Sequence, residues 1–333
     1  MQTIPLRLKR LRRTPTVRSM LQETRLATSQ FIAPLFISET LEKKREISSM
    51  PGQFQLTLDC LPEEIKSLTE LGIPAVLLFG IPAHKDAEGT ASLTNIGIVQ
   101  QAIRKIRSVN QHIVIIADVC FCEYTDHGHC GVLNGETINN DATLKRLSEQ
   151  AVSYADAGAD WVAPSSMTDG MVAAIREALD KAGHHDVAIL SYAVKYSSCF
   201  YGPFREAAHG APQFGDRKTY QMDPANASEA IREAALDVAE GADMLMVKPA
   251  MSYLDIIYRV KQRFPEVPLC AYQVSGEYAM IKTAAAQGLI NEEQAMLESL
   301  IAIKRAGADL IISYFAKDVA KLLQSRRSSA SPQ

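Results

Sequence analysis

Eight short runs rich in β-branched and apolar residues punctuate this chain, and a longer segment of helical period follows each of them. The runs lie at 31–38, 75–81, 112–120, 161–166, 187–195, 244–250, 268–274 and 309–314. The helical segments follow at 61–72, 96–109, 141–159, 170–183, 228–242, 253–264, 292–308 and 315–326. Helices ending in Ala157-Gly158-Ala159, Gly241-Ala242 and Ala306-Gly307-Ala308 place glycine where a C-cap precedes the next strand. Eight βα units in 333 residues predict a closed (β/α)8 TIM barrel of the α/β class rather than an open doubly wound sheet. No G-x-G-x-x-G fingerprint follows the first strand. Residues 1–30 then form an N-terminal arm, 31–326 the barrel and 327–333 a polar tail. A barrel names no reaction, but it predicts that chemistry sits at the C-terminal ends of strands.

Composition narrows the partners. The chain is 47% hydrophobic with a net charge of −3, so it supplies no field for holding nucleic acid or an acidic membrane, and a small ligand is expected. No run of about eighteen apolar residues is present, and the start lacks a secretory core, which points to the cytoplasm. Six basic residues (Arg7, Lys9, Arg10, Arg12, Arg13, Arg18) and no acidic one fill the first 22 positions, a composition shared by organellar transit peptides. Pro5 and Pro15 interrupt an amphipathic helix there, which favours a solvated or subunit-contacting arm.

The third strand runs from Asp118 into a C-x-C-x7-C loop made of Cys120, Cys122 and Cys130. Three soft thiolates at this spacing can converge on one tetrahedral ion and leave a fourth position open, the layout of a catalytic zinc site. His127 and His129 compete as ligands or serve as hydrogen-bonding supports. Cys60, Cys199 and Cys270 read as small buried hydrophobes. Asp118, beside a metal loop, reads as an orienting group or base. Lys195 and Lys248 close two apolar strands, and two such amines in a barrel mouth would lower each other's pKa and attack a ketone as neutral nucleophiles. The connection after Lys195 is long and carries Arg205, Arg217 and Gln221 among aromatic residues, which suggests a lid whose guanidinium forks clamp a carboxylate. The last two strands end in Tyr272-Gln-Val-Ser275-Gly276-Glu-Tyr278 and Ile312-Ser313-Tyr314-Phe315, whose hydroxyls could bind a second carboxylate. Ser275 could equally be a helix N-cap.

The stretches Phe121-Cys-Glu-Tyr-Thr125 with Gly128-His-Cys-Gly131, Phe200-Tyr-Gly-Pro-Phe-Arg-Glu-Ala207, Met246-Val-Lys-Pro249 and Ala271-Tyr-Gln-Val-Ser-Gly-Glu-Tyr278 resemble the porphobilinogen synthase (5-aminolevulinate dehydratase) family, whose likeness extends over nearly the whole chain. The resemblance implies a lyase of heme biosynthesis that joins two 5-aminolevulinate molecules through lysine Schiff bases, without an organic cofactor. It assigns Lys248 and Lys195 to the propionate-side and acetate-side substrates. It places Ser275 and Tyr314 on the first carboxylate, Arg205, Arg217 and Gln221 on the second, and zinc on Cys120, Cys122 and Cys130. It further implies a homo-octamer with an arm around a neighbouring barrel, and an activating magnesium at Glu233 near Arg12 of a neighbour's arm. Two other readings fit fewer residues. A one-lysine class I aldolase leaves the cysteines and the second lysine idle, and a non-catalytic zinc- or ligand-binding barrel leaves both lysines unused.

Overall fold

The computed structural model of the chain describes residue 4 and residues 6–329; Pro5 and the last four residues of the polar tail lie outside the described residues. Eight parallel strands close into one barrel: β1 (Phe31–Ser38), β2 (Ala75–Ile81), β3 (Val114–Val119), β4 (Trp161–Pro164), β5 (Ala188–Lys195), β6 (Met244–Lys248), β7 (Leu269–Gln273) and β8 (Leu310–Ser313). Each pairs with the next, and β8 returns to β1 through Phe31↔Ile311 and Ile32↔Ile312. The outer ring is α1 (Leu61–Glu70), α2 (Ile98–Val109), α3 (Asn140–Ala157), α4 (Met171–Lys181), α5 (Glu229–Glu240), α6 (Leu254–Arg263), α7 (Glu292–Ala306) and α8 (Ala316–Ser329). Every residue of β1 and β2 is buried, because one strand face meets the packed barrel interior and the other meets helices. The expected eight βα units are thus present, each strand within two residues of its expected end.

The helix-ending glycines cap as anticipated: Gly158 and Gly241 take φ of 104° and 103°, left-handed values that a side chain would oppose. The residue that follows each Gly-Ala pair does more than the pattern suggested. Asp160 Oδ2 accepts the Ile115 amide at 2.7 Å, Asp243 Oδ2 the Ile189 amide at 2.7 Å and Asp309 Oδ2 the Leu269 amide at 2.9 Å. Each carboxylate therefore ties the start of a strand to its neighbour. Arg107 and Lys261 pair with Asp160 and Asp309. This staple sits at the N-terminal face, where a barrel invests in stability and leaves the opposite face for chemistry.

Several elements were not anticipated. The β1–α1 connection contains an antiparallel pair, Arg45–Glu46 with Phe54–Leu56, whose second strand pairs parallel to β1. The long fifth connection carries a short helix, Gly202–Ala207, called here the lid helix. A further helix, Ser275–Ala286, precedes α7; its run Tyr278-Ala-Met-Ile-Lys-Thr-Ala-Ala-Ala286 is alanine-rich and has no single apolar stripe to mark its period. In the arm, Pro15 does not interrupt a helix but begins one, Pro15–Met20, where its missing N–H costs nothing and Thr14 Oγ1 accepts the Val17 amide at 3.2 Å. Neither this helix nor the preceding turn Leu8–Arg12 buries any residue. The last helix continues to Ser329, into the segment read as the polar tail. Among the described residues no helix is long and apolar enough to cross a membrane.

Candidate active site

Lys195 and Lys248 end β5 and β6 as direct cross-strand partners. Both are buried, at 5% and 6% relative exposure, so neither amine is a surface charge. The Lys248 ammonium lies 4.4 Å from the Tyr272 ring centre, 4.9 Å from Tyr192 and 5.3 Å from Tyr201 and from Phe204. Burial, and after it the Lys195 charge, lowers the Lys248 pKa to about 7, partly opposed by Asp118. Desolvation therefore outranks the mutual repulsion expected from sequence. Lys195 donates to the Ser165 carbonyl, and Ser165 Oγ donates to Asp118 Oδ2 at 3.0 Å. Asp118 is raised to about 7 by burial and by Glu123, against the pull of both lysines.

The three loop cysteines converge as expected. Cys120, Cys122 and Cys130 are buried, and their sulfurs lie within 4.8 Å of one another, Cys120 and Cys122 at 3.5 Å. The loop folds this way because Thr125 Oγ1 bridges the Phe121 and His129 carbonyls. Gly128 also turns at φ 71° where an added Cβ would lie 2.2 Å from the Ala211 oxygen. From α3, Gln150 Nε2 donates to the Cys120 carbonyl at 3.0 Å. Hydrogen bonds from Cys120 and Cys122, with the Arg217 charge, hold the Cys130 thiol well below its ordinary value. A buried, soft, partly ionised donor set fits zinc. Both histidines are occupied elsewhere: His127 bridges the His129 amide and the Ala87 carbonyl, and His129 pairs with Tyr220 and the Phe214 carbonyl. They support the loop rather than join the sulfurs. Of the other cysteines only Cys270 is buried; Cys60 is intermediate, and Cys199 is exposed at the start of the lid, so the small-hydrophobe reading fails there.

The lid carries Arg205, Arg217 and Gln221, and of these Arg217 lines the cavity that holds the two lysines, while Gln221 lines a neighbouring one beside Cys130. Arg217 Nη2 donates to the Gly128 and Gly210 carbonyls at 2.8 and 2.5 Å, which ties the lid to the cysteine loop. Burial and the Arg217 charge lower the Arg205 pKa. Yet Arg205 Nε, Arg217 Nε and both amide atoms of Gln221 are buried without a hydrogen-bond partner among the described residues, and so are Asp118 Oδ1 and Glu123 Oε1. Orphaned polar atoms are costly, so their concentration here marks a ligand site. Tyr314 Oη lies 3.0 Å from Tyr272 Oη. Ser275 is not the helix N-cap, a place taken by Val274. Its Oγ accepts the Phe204 amide at 2.9 Å and donates to the Phe200 carbonyl at 3.3 Å, so it docks the lid. Glu233, on α5, is half-buried, and burial and nearby Asp169 and Glu229 raise its pKa; it joins no group of possible metal ligands among the described residues.

Sequence reasoning missed Glu123, Ser165 and the aromatic walls Tyr192, Tyr201, Phe204 and Tyr272. With Phe79, Asp118, Cys122, Arg217 and the two lysines, four of these (Glu123, Ser165, Tyr201 and Phe204) line one small cavity. Ser165 directly follows β4, and that position was its available signal; Glu123 lies four residues past the end of β3, next to Cys122 in the cysteine loop.

A closed βα barrel whose C-terminal mouth gathers two buried amines, a thiol cluster and lid-borne guanidiniums is a barrel enzyme. Comparison with known proteins makes the family explicit. The family model described as "Delta-aminolevulinic acid dehydratase" matches residues 5–322. Proteins of that description from Halalkalibacterium halodurans and Bacillus subtilis are each 56% identical, over 319 and 315 residues, covering 96% and 95% of this chain and 97% of each relative. The crystal structure of delta-aminolevulinic acid dehydratase (porphobilinogen synthase) from Toxoplasma gondii, in complex with its reaction product porphobilinogen, superposes with a TM-score of 0.95 at 41% identity, over 99% of this chain and 95% of that one. The chain belongs to the delta-aminolevulinic acid dehydratase family and is a lyase.

Proposed function

We propose that this enzyme condenses two 5-aminolevulinate molecules into porphobilinogen with loss of two waters. The observation that carries the reading is one small cavity lined by the paired strand-end lysines, by Asp118, by Cys122 of the thiol cluster and by Arg217 of the lid, whose Nε lacks a partner among the described residues. Lys248, neutral at physiological pH in a substantial fraction, attacks the ketone of the first substrate and expels its oxygen as water. Lys195 does the same to the second. Carbon–carbon and carbon–nitrogen bonds between the substrates then return both lysines as amines, so the two waters are the only molecules lost. Asp118 Oδ1, unpartnered beside both amines, holds or hands over the protons these steps require. Tyr314 receives the first carboxylate together with Ser275, whose hydroxyl proton turns to it from the Phe200 carbonyl while its oxygen keeps the Phe204 amide; Arg205, Arg217 and Gln221 receive the second and exclude water. Holding the substrates side by side replaces an encounter in solution.

Cys120, Cys122 and Cys130 would hold zinc, which supplies a Lewis acid that polarises the second substrate. Glu233, its carboxylate crowded by Asp169 and Glu229, would hold a magnesium ion outside the catalytic centre. The arm would engage neighbouring copies in a homo-octamer.

The test is direct. Protein mixed with 5-aminolevulinate should form pyrrole, and borohydride added with substrate should leave a mass increment on the Lys248 peptide, with or without Lys195. Chelation should remove about one zinc per chain together with activity. Labelling confined to surface lysines, or full zinc content in Cys122→Ala, would overturn the corresponding part.

A further inference from the structure

The lid helix Gly202–Ala207 carries Phe204, which lies over Lys248, and Arg205, half-buried within reach of the Arg217 charge and the cysteine loop, but a six-residue helix has little stability of its own. The Phe204, Arg205 and Glu206 carbonyls accept the Ala208, Gly210 and His209 amides as the chain leaves the helix, but the Ala207 carbonyl and that of His209 beyond it need donors from elsewhere. Those two donors come from connections outside the lid. Gln55 Nε2 donates to the Ala207 carbonyl at 2.6 Å, and Lys85 Nζ donates to the His209 carbonyl at 2.6 Å. Ser48 Oγ donates to Glu206 at 2.6 Å. Gln55 is itself fixed: Arg45 donates to its Oε1 from Nε at 3.2 Å and from Nη2 at 2.7 Å. Gln55 is 3% exposed and Ala207 1%, so water does not replace the bond.

The tie is rooted in the barrel wall. Gln55 stands in the strand Phe54–Leu56 and is the cross-strand partner of Phe36 in β1. The Phe36 ring lies 5.6 Å from Phe204 and from Phe79, and 6.1 Å from Tyr314. His209, just past the tied carbonyl, has φ 52°, a left-handed value uncommon for a residue with a side chain, so the chain turns sharply where the tie holds it.

We infer that Gln55, held by Arg45, is a positioning residue that latches the lid helix and so places Arg205 for the second substrate. It touches no substrate itself. The inference rests on the proposed condensation for its kinetic consequence, but the latch can be read without it.

The experiment compares the full-length protein with Gln55→Glu, Gln55→Leu and Arg45→Leu. Gln55→Glu keeps an acceptor for Arg45 and loses the donor to Ala207; Gln55→Leu loses both. Hydrogen exchange of the amides in 203–221 is the direct readout and should accelerate in all three variants, while amides of β1 and β5 keep wild-type protection. Pyrrole formation should show kcat/KM reduced roughly tenfold, the loss of one buried hydrogen bond felt in the transition state, with borohydride labelling of Lys248 retained. Wild-type exchange across 203–221 in Gln55→Glu overturns the latch. So does a uniform loss of protection over lid and barrel, which would make Gln55 a general packing residue. If the wild-type protein formed no pyrrole, the proposed reaction would fail while the exchange measurement still decided the latch.

Discussion

Lys248 shows how far one residue's surroundings can set its chemistry. An ordinary lysine is almost fully charged at neutral pH and useless as a nucleophile. Here burial among Tyr192, Tyr201, Phe204 and Tyr272, helped by the Lys195 charge, lowers it to about 7. The neutral, reactive form then grows as pH rises, from about a tenth at pH 6 to about nine-tenths at pH 8. The initial rate of borohydride trapping at Lys248 should follow that curve and level off above it. In Lys195→Met the charge that disfavours the ammonium is gone, so the Lys248 pKa should rise and the curve move to higher pH. Because burial is the larger cause, much of the depression should persist. A trapping rate that is flat with pH, or a move to lower pH in the variant, would contradict this account. Lys248 was legible in sequence because it and Lys195 both end apolar runs; either one alone would read as a solvated or salt-bridged lysine. The three cysteines were legible because they crowd into one loop. Ser165 and Glu123 were not, because their importance comes from what adjacent strands bring to them: Ser165 matters as the link between Lys195 and Asp118.

At the scale of elements, the lid is where binding and chemistry can be separated. Arg217 fastens it to the cysteine loop through the Gly128 carbonyl while also holding the lid's own Gly210 carbonyl, whereas Arg205 has an orphaned Nε and no side-chain bond to the backbone among the described residues. Arg205→Met should therefore lose mainly the charge-assisted contact proposed for the second carboxylate, and Arg217→Met should in addition loosen the loop that holds the sulfurs. Steady-state kinetics should show a raised KM and lowered kcat for both, with kcat/KM down by roughly one to two orders of magnitude, the worth of a charged hydrogen bond. Zinc should be held less tightly only in Arg217→Met. Trapping at Lys248, the amine proposed for the first substrate, should survive in both. Equal zinc affinity in the two variants would deny Arg217 its second role. Strands were the most legible elements, since each is a short apolar run between helices, and the glycine caps marked where the helices stop. What escaped were pieces whose form depends on partners: the Arg45–Glu46 and Phe54–Leu56 pair leans on β1, the lid helix is held by Gln55 and Ser275, and Ser275–Ala286 lacks a periodic stripe.

For the whole molecule, the barrel and the arm obey different rules. Every residue assigned to the two substrates lies in one barrel, closed by β8 on β1, so the barrel should fold and build its site without help. The arm buries nothing in its two short helices, while Leu6, Leu8, Leu11, Met20 and Leu21 are each more than half exposed. Covering those five side chains would contribute roughly 1.5–3 kcal/mol each, or about 7–15 kcal/mol per arm. Bringing two molecules together costs about 4–15 kcal/mol. One arm on one neighbour would thus be near balance, whereas two chains exchanging arms gain the burial twice and lose the freedom of association once. A symmetric exchange is the arrangement that these magnitudes favour. Removing residues 1–24, which leaves the turn Thr28–Gln30 packed at α8, should therefore reduce the assembly measured by sedimentation to smaller species. Far-ultraviolet circular dichroism per residue should change only slightly, and Lys248 should still trap substrate. A truncated protein of unchanged assembly size would show that barrel surfaces, not arms, hold the copies together, and loss of the folded barrel would show that the arm is part of the fold.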